Sequence, residues 1–136
     1  MLPATQERVR KNTCHDINQR IDDEIVESII SHEKSNREQI SRRIGELEHE
    51  WDTERVLETN ASILIILGTL LGFTSSKKWF FLPGVVAGFL LQHALQGWCP
   101  PLPVIRRMGV RTSSEINKEK AILQHMRGDF DAIKRD

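Results

Sequence analysis

Two side chains in the apolar middle of this 136-residue chain have types suited to chemistry, His93 and Cys99. An imidazole inside an apolar segment is a candidate haem ligand or proton-relay group, because ionisable groups are costly there and persist where they are used. A lone histidine near the edge of such a segment is more often a structural group with its hydrogen bonds met. Cys99 precedes Pro100 and Pro101 and lies close in sequence to Arg106 and Arg107. A thiol at a water boundary beside guanidinium groups suits redox or sulfur chemistry, or acylation. It reads equally as a small apolar residue at a membrane surface. Cys99-Pro100 is also the minimal haem-regulatory dipeptide, too short to assign haem. Cys14 is the only other cysteine, too few for a disulfide framework or a zinc quartet, so both are expected as free thiols and no metal or cofactor is expected. No nucleophile and base stand at motif spacing and no glycine loop could cradle phosphate, so there are no catalytic residues to name and no enzyme is expected.

The element that must position these groups runs from Thr59 to Ile105, where Lys77 and Lys78 are the only formal charges before Arg106. Two uncharged runs, residues 59–76 and 79–98, are each long enough as helices to span the roughly 30 Å hydrocarbon core of a bilayer. The pattern predicts an all-α protein: a two-span transmembrane hairpin over 59–105, an acidic helical segment over 1–58, and a basic juxtamembrane stretch with a C-terminal amphipathic helix over 106–136. The first segment carries 9 Lys/Arg against 14 Asp/Glu, net −5, and residues 59–136 carry 10 against 5, net +5. The neutral total therefore hides two halves that attract. Residues 1–20 contain no apolar core of signal-peptide type, so the first span itself is expected to direct insertion.

Within the hairpin, Gly68 and Gly72 form one GxxxG pair and Gly84 and Gly88 another. Counted from the lysine turn, the pairs match in depth at ~9 Å and ~15 Å, which predicts close packing of the two spans, or of two copies of the chain through the same faces. Asn60, Gln92, His93 and Gln96 are the polar groups near the opposite end. Each needs a partner in lipid, and His93 stands level with Ser62, Gln96 nearly level with Asn60. Trp79, Phe80 and Phe81 at one boundary and Trp98 at the other read as an aromatic belt, and Pro83 falls near the start of the second span. Pro100, Pro101 and Pro103 predict an extended, polyproline-like exit.

Outside the hairpin, residues 1–13 show no period and read as a loose arm. Ile17, Ile21, Ile25 and Ile29 predict a first helix capped by Asp16 and ending near Glu33. Ser35-Asn36-Arg37-Glu38 reads as a capping box for a second helix, whose Ile40, Ile44, Leu47 and Trp51 form a short seam. Thr112-Ser113-Ser114-Glu115 is a further capping box, opening a helix with Ile116, Ile122, Leu123, Met126 and Phe130 as apolar residues and Gly128 near its end. Its charges balance, which favours packing on the other helices over binding anionic lipid. Glu46, Glu48, Glu50, Asp52, Glu54 and Glu58 precede the first span, and Arg106, Arg107 and Arg111 follow the second, so a hairpin brings both clusters to one side. Arg42, Arg43, Arg55, Arg106, Arg107 and Arg111 outnumber the two turn lysines, and the positive-inside rule puts both termini in the cytoplasm.

Asn60, the four hairpin glycines and the closing GWCPPLPVIRRMGV, with Gly97, Cys99, Pro100 and Gly109, resemble the YgaP-like inner-membrane transmembrane domain of bacteria. The resemblance covers about residues 55–111. It implies a two-helix hairpin in the bacterial inner membrane, often in helix-mediated dimers. Some members are fused to a cytoplasmic rhodanese domain; here an acidic helical segment stands in that place, so sulfur transfer is not implied. The expected function is a non-enzymatic membrane scaffold or oligomerising regulatory module, with the lipid bilayer, a second copy and a protein as partners and no nucleic acid. A thiol-dependent redox, sulfur-handling or transport accessory using Cys99 is the alternative.

Overall fold

The computed structural model describes residues 2–131, and every regular element among them is helical. In chain order these are α1 (Arg8–Lys11), α2 (His15–His32), α3 (Arg37–His49), α4 (Thr53–Thr74), a 3₁₀ turn (Lys77–Phe80), α5 (Phe81–Gln96), α6 (Leu102–Arg107) and α7 (Ser113–Arg127).

α4 and α5 lie against each other as a hairpin closed by the lysine turn. Asp52 accepts a hydrogen bond from the Arg55 backbone N–H and caps α4, which therefore begins inside the acidic stretch, before residue 59. α4 and the helical Lys77–Gln96 stretch are long and apolar enough to cross a membrane. Their most apolar 18-residue windows are only 17% and 6% buried, whereas the core helix of a soluble protein would be mostly covered. Phe73, Phe81 and Leu91 are among the large apolar side chains left uncovered. Three polar side chains of α4 are satisfied within the helix: Asn60, Thr69 and Thr74 each donate to the carbonyl four residues earlier, at 2.7–2.9 Å.

The glycines divide differently from the expected cross-hairpin match. A Cβ on Gly68 would stand 2.6 Å from the Pro83 ring, and one on Gly72 would stand 2.8 Å from the Phe80 ring. These two glycines admit a proline and an aromatic ring from the other arm. Gly84 and Gly88 have nothing within 4 Å and face away from α4. The reason is the turn: Phe80 and Pro83 fold into the space beside α4, and Phe80 also meets Phe73 edge-to-face at 5.0 Å.

Two apolar clusters hold the rest. Val9, Leu57, Cys99, Leu102 and Ile105 close the open end of the hairpin, and Ile40, Ile44 and Leu47 of α3 pack on Ile116 and Leu123 of α7. α2 buries Ile21 and Ile25 and packs on α7, leaving Val26 and Ile30 exposed. Trp51 lies beyond α3, exposed, under the Arg55 guanidinium at 4.5 Å.

Several local expectations are corrected. The N-terminal arm contains α1, pinned by buried Val9 and by ion pairs of Arg8 and Arg10. Cys14, not Asp16, takes the N-cap position of α2, and the second capping box is Asn36 with Gln39, one residue later than Ser35 would place it. The prolines do not make an extended exit: Pro101 is the N-cap of α6 and Pro103 lies in its first turn, where a missing N–H costs nothing. The Thr112–Glu115 box and the Gly128 cap of α7 form as expected, with Gly128 at φ +89°.

Candidate functional site

The open end of the hairpin is built on buried charge. Glu115 and Glu119 lie one turn apart on α7, on the stripe that also carries Ile116 and Leu123, and both are enclosed at 3% and 0% exposure. Each is held by guanidinium groups from other elements. Arg106 of α6 grips Glu115 with two parallel bonds of 2.7 and 2.8 Å, and Arg10 of α1 adds a third at 2.6 Å while also pairing with Asp22 of α2. The remaining donors of Arg106 reach Thr13 Oγ1 at 3.2 Å, the Val110 carbonyl at 3.1 Å and Asn18 Oδ1 at 2.9 Å. All five N–H groups are thereby used, which is why an arginine can be fully enclosed.

Glu119 accepts from Ser28 of α2 at 2.6 Å, from Arg43 of α3 at 3.1 Å and from Arg111, whose other edge grips Glu50. Thr53, also enclosed, donates its backbone N–H to the Arg111 carbonyl at 2.8 Å and its hydroxyl to the same oxygen at 3.1 Å. Four helices and the turn before α7 thus converge on two carboxylates of α7. Burial alone would raise the Glu115 carboxyl, but the Arg106 guanidinium, the Thr112 N–H and Arg10 hold it down at about 2. Burial opposes ionisation of Glu119 too, and Ser28, Arg111 and Arg43 overcome it, so its pKa is also lowered. A carboxylate whose folded pKa is depressed stabilises the fold fully above its unfolded value near 4.5 and loses that contribution as pH falls toward the folded value. The melting temperature in mild detergent is therefore expected to drop as pH falls from 4.5 to about 2, and Glu115→Gln is expected to flatten that dependence.

Beside this network lies a second cluster. Glu54, in the first turn of α4, pairs through Oε1 with Arg8 at 2.8 Å and through Oε2 with His93 Nε2 at 3.1 Å. The Cys99 thiol stands against the same imidazole, without forming a hydrogen bond of good geometry, and His93 Nδ1 is buried with no partner. Arg8 Nε is likewise buried and unpartnered. An apolar groove of about 610 Å³ between α4, α5 and α6 has Cys99, Asn60 and Phe89 among its walls.

The residues singled out in the sequence are thus distributed unevenly. His93 and Cys99 come together, but His93 pairs with Glu54 instead of the level of Ser62. Asn60 bonds to its own helix and does not cross to Gln96; Gln92 is half-buried, and the Gln96 carbonyl receives Asn12 at 2.8 Å. Cys99 is 3% exposed, so it is not the exposed thiol that the sequence reading expected. Arg106 and Arg111 are buried instead of forming exposed pairs, and Arg106 pairs with α7, not with the acidic stretch before the first span. Arg107 is exposed, and its carbonyl accepts from Arg20 at 2.9 Å. Glu115 and Glu119 were not candidates from sequence. Their signal is the spacing, carboxylates at i and i+4 on the face that Ile116 and Leu123 mark as buried.

The two thiols have opposite surroundings, since Cys14 is exposed and Cys99 is enclosed. Maleimide is expected to modify Cys14 at least about tenfold faster than Cys99 in the folded protein, with the difference gone in denaturant. Mass spectrometry of digested samples reads both rates, and equal rates without denaturant would contradict the packing of α6 on the hairpin.

No protein family, curated protein or solved structure matches the chain.

Proposed function

We propose that this chain is a two-span protein of the bacterial inner membrane that holds a helical module at the water-facing base of its hairpin, as a non-enzymatic scaffold or regulatory anchor. The observation that carries the reading is the contrast between the two ends. Two long apolar helices leave their side chains uncovered, while the base is fastened by ion pairs that enclose Arg106, Glu115 and Glu119. Lipid covers the first surface at no cost, and the second fixes how α2, α3 and α7 stand on the spans. Amphipathic helices on the cytoplasmic side, both termini in the cytoplasm and the YgaP-like resemblance of residues 55–111 belong to the same proposal. The uncovered Gly84 and Gly88 leave a small-residue face on α5 for a second copy.

Fractionation tests it. The protein is expected to stay with membranes after an alkaline carbonate wash, with Lys77 open to an impermeant amine reagent only from outside the cell. Recovery in the high-speed supernatant would sink the reading. Gentle extraction from native membranes should then bring along a second copy or a protein partner, and Gly84→Ile should reduce self-association.

The closeness of Cys99 to His93 favours a second reading, a thiol-dependent component. Burial of Cys99 argues against exchange with soluble thiols and leaves ligand binding as the role for the pair.

A further inference from the structure

We infer that the groove between α4, α5 and α6 seats one anionic phospholipid, with an acyl chain along the groove and the phosphate beside Arg107 and Arg20. The inference rests on the reading of α4 and α5 as membrane spans.

The groove has the size and chemistry of a site for hydrocarbon. Its volume of about 610 Å³ falls in the ordinary range of small-molecule sites, roughly 300–1,000 Å³. Leu57, Asn60, Ala61 and Leu64 form one wall at i, i+3, i+4 and i+7 of α4, a stripe about 10 Å long, with Val85 and Phe89 facing it from α5. The groove therefore runs along the spans, as a lipid chain does. None of the described residues that line it is charged, and the Asn60 amide already donates to its own helix at 2.9 Å.

The rim of the groove is α6. That helix buries Leu102, Ile105 and Arg106 and leaves Val104 and Met108 exposed at 59% and 77%. An uncovered apolar stripe on a helix that directly follows a span is the pattern of a helix lying in the headgroup boundary, and exposed Trp98 just before it is the aromatic anchor of that boundary. The charges at the rim select the head of the occupant. Arg107 neighbours Val104 one turn away on the surface of α6 and is exposed. Arg106 and Arg111 are taken up by buried carboxylates, whereas Arg107 enters no ion pair among the described residues. Arg20 of α2 donates to the Arg107 carbonyl at 2.9 Å, which brings a second guanidinium to the same end of α6. Its own carboxylate contact, to Glu24, is long at 3.8 Å and exposed. Two cations beside an uncharged groove complement a phosphate diester that carries a chain. A second copy of α5 would fill the groove and leave the cations unused, and inorganic phosphate would do the reverse.

The test uses the full chain in mild detergent, stripped of lipid, with phosphatidylglycerol or phosphatidylcholine of the same acyl chains added and bound copies counted by native mass spectrometry. One phosphatidylglycerol per chain is expected, held at least about fivefold more tightly than phosphatidylcholine and not displaced by inorganic phosphate. Arg107→Gln is expected to weaken phosphatidylglycerol by about fivefold, the usual effect of one basic side chain near an anionic lipid. Ala61→Phe, which puts a ring into the groove, is expected to weaken both lipids by about tenfold or more, since each displaced methylene loses its burial. Circular dichroism establishes that each variant remains folded, and the preference of the unaltered chain stands without any variant. Equal retention of the two lipids, displacement by inorganic phosphate, lipid-free dimers, or an Arg107→Gln protein that holds phosphatidylglycerol as tightly as its parent would overturn the inference. Recovery of the chain in the soluble fraction would sink the membrane reading and this inference together, whereas a membrane-bound chain without lipid preference would sink this inference alone.

Discussion

Replacing Arg106 by methionine is expected to destabilise the folded protein by about 3–5 kcal/mol, the usual cost of removing one partner from a buried ion pair. Methionine fills much of the same volume, so the loss does not come from a cavity. It comes from Glu115, left 3% exposed without its two-pronged partner, and from Thr13, Asn18 and the Val110 carbonyl, which lose their donor together. Arg10 remains on Glu115 and limits the damage. Adding Glu115→Gln should recover part of it, because the stranded charge disappears while the glutamine still caps α7 through the Thr112 N–H. Thermal and urea unfolding followed by circular dichroism in mild detergent reads both. An Arg106→Met protein within about 1 kcal/mol of the parent would mean that the network contributes little.

The second large effect is expected at Gly97, where α5 ends. Its φ of +78° lies in the left-handed region, which costs a residue with a Cβ roughly 1–2 kcal/mol. Here the Cβ would also stand 2.5 Å from the backbone carbonyl group of Arg8, which cannot rotate away. Gly97→Ala is therefore expected to cost about 2–4 kcal/mol and to dislodge α1 from the hairpin. Gly109 is the control, with φ +85° but open space where a Cβ would go, so Gly109→Ala should lose only the conformational part. Faster proteolysis around Arg8 and Arg10 in Gly97→Ala alone reads the displacement, whereas equal losses at the two glycines would show that the close approach is unimportant.

What the sequence disclosed follows from how local each signal is. The lysine turn, the two apolar helices, the Thr112 capping box and the Gly128 stop each depend on neighbours within a few residues. The buried ion pairs do not. Nothing near Glu119 in sequence names Ser28, Arg43 and Arg111 as its partners, and a balanced count of charges along α7 hides that two of its carboxylates point inward. The glycine motifs were legible in part for a related reason: Gly68 and Gly72 pack within the hairpin, but the rotation of α5 that brings Pro83 and Phe80 toward α4 and leaves Gly84 and Gly88 open was not legible. His93 and Cys99 were both singled out, and their meeting with Glu54 and Arg8 depends on α1, which lacks any periodic signal because it is a single turn long.

The bond between Arg10 and Glu115 joins residues 105 positions apart, across the whole hairpin. Arg8 and Arg10 precede their partners on α4 and α7 by 46 and 105 positions. Arg10 meets Asp22 after 12 positions and Arg8 meets Glu54 after 46, so only the bond to Glu115 waits for α7. A chain ending between the two spans would keep the partners Asp22 and Glu54 and lack only the carboxylate that ties α1 to α7.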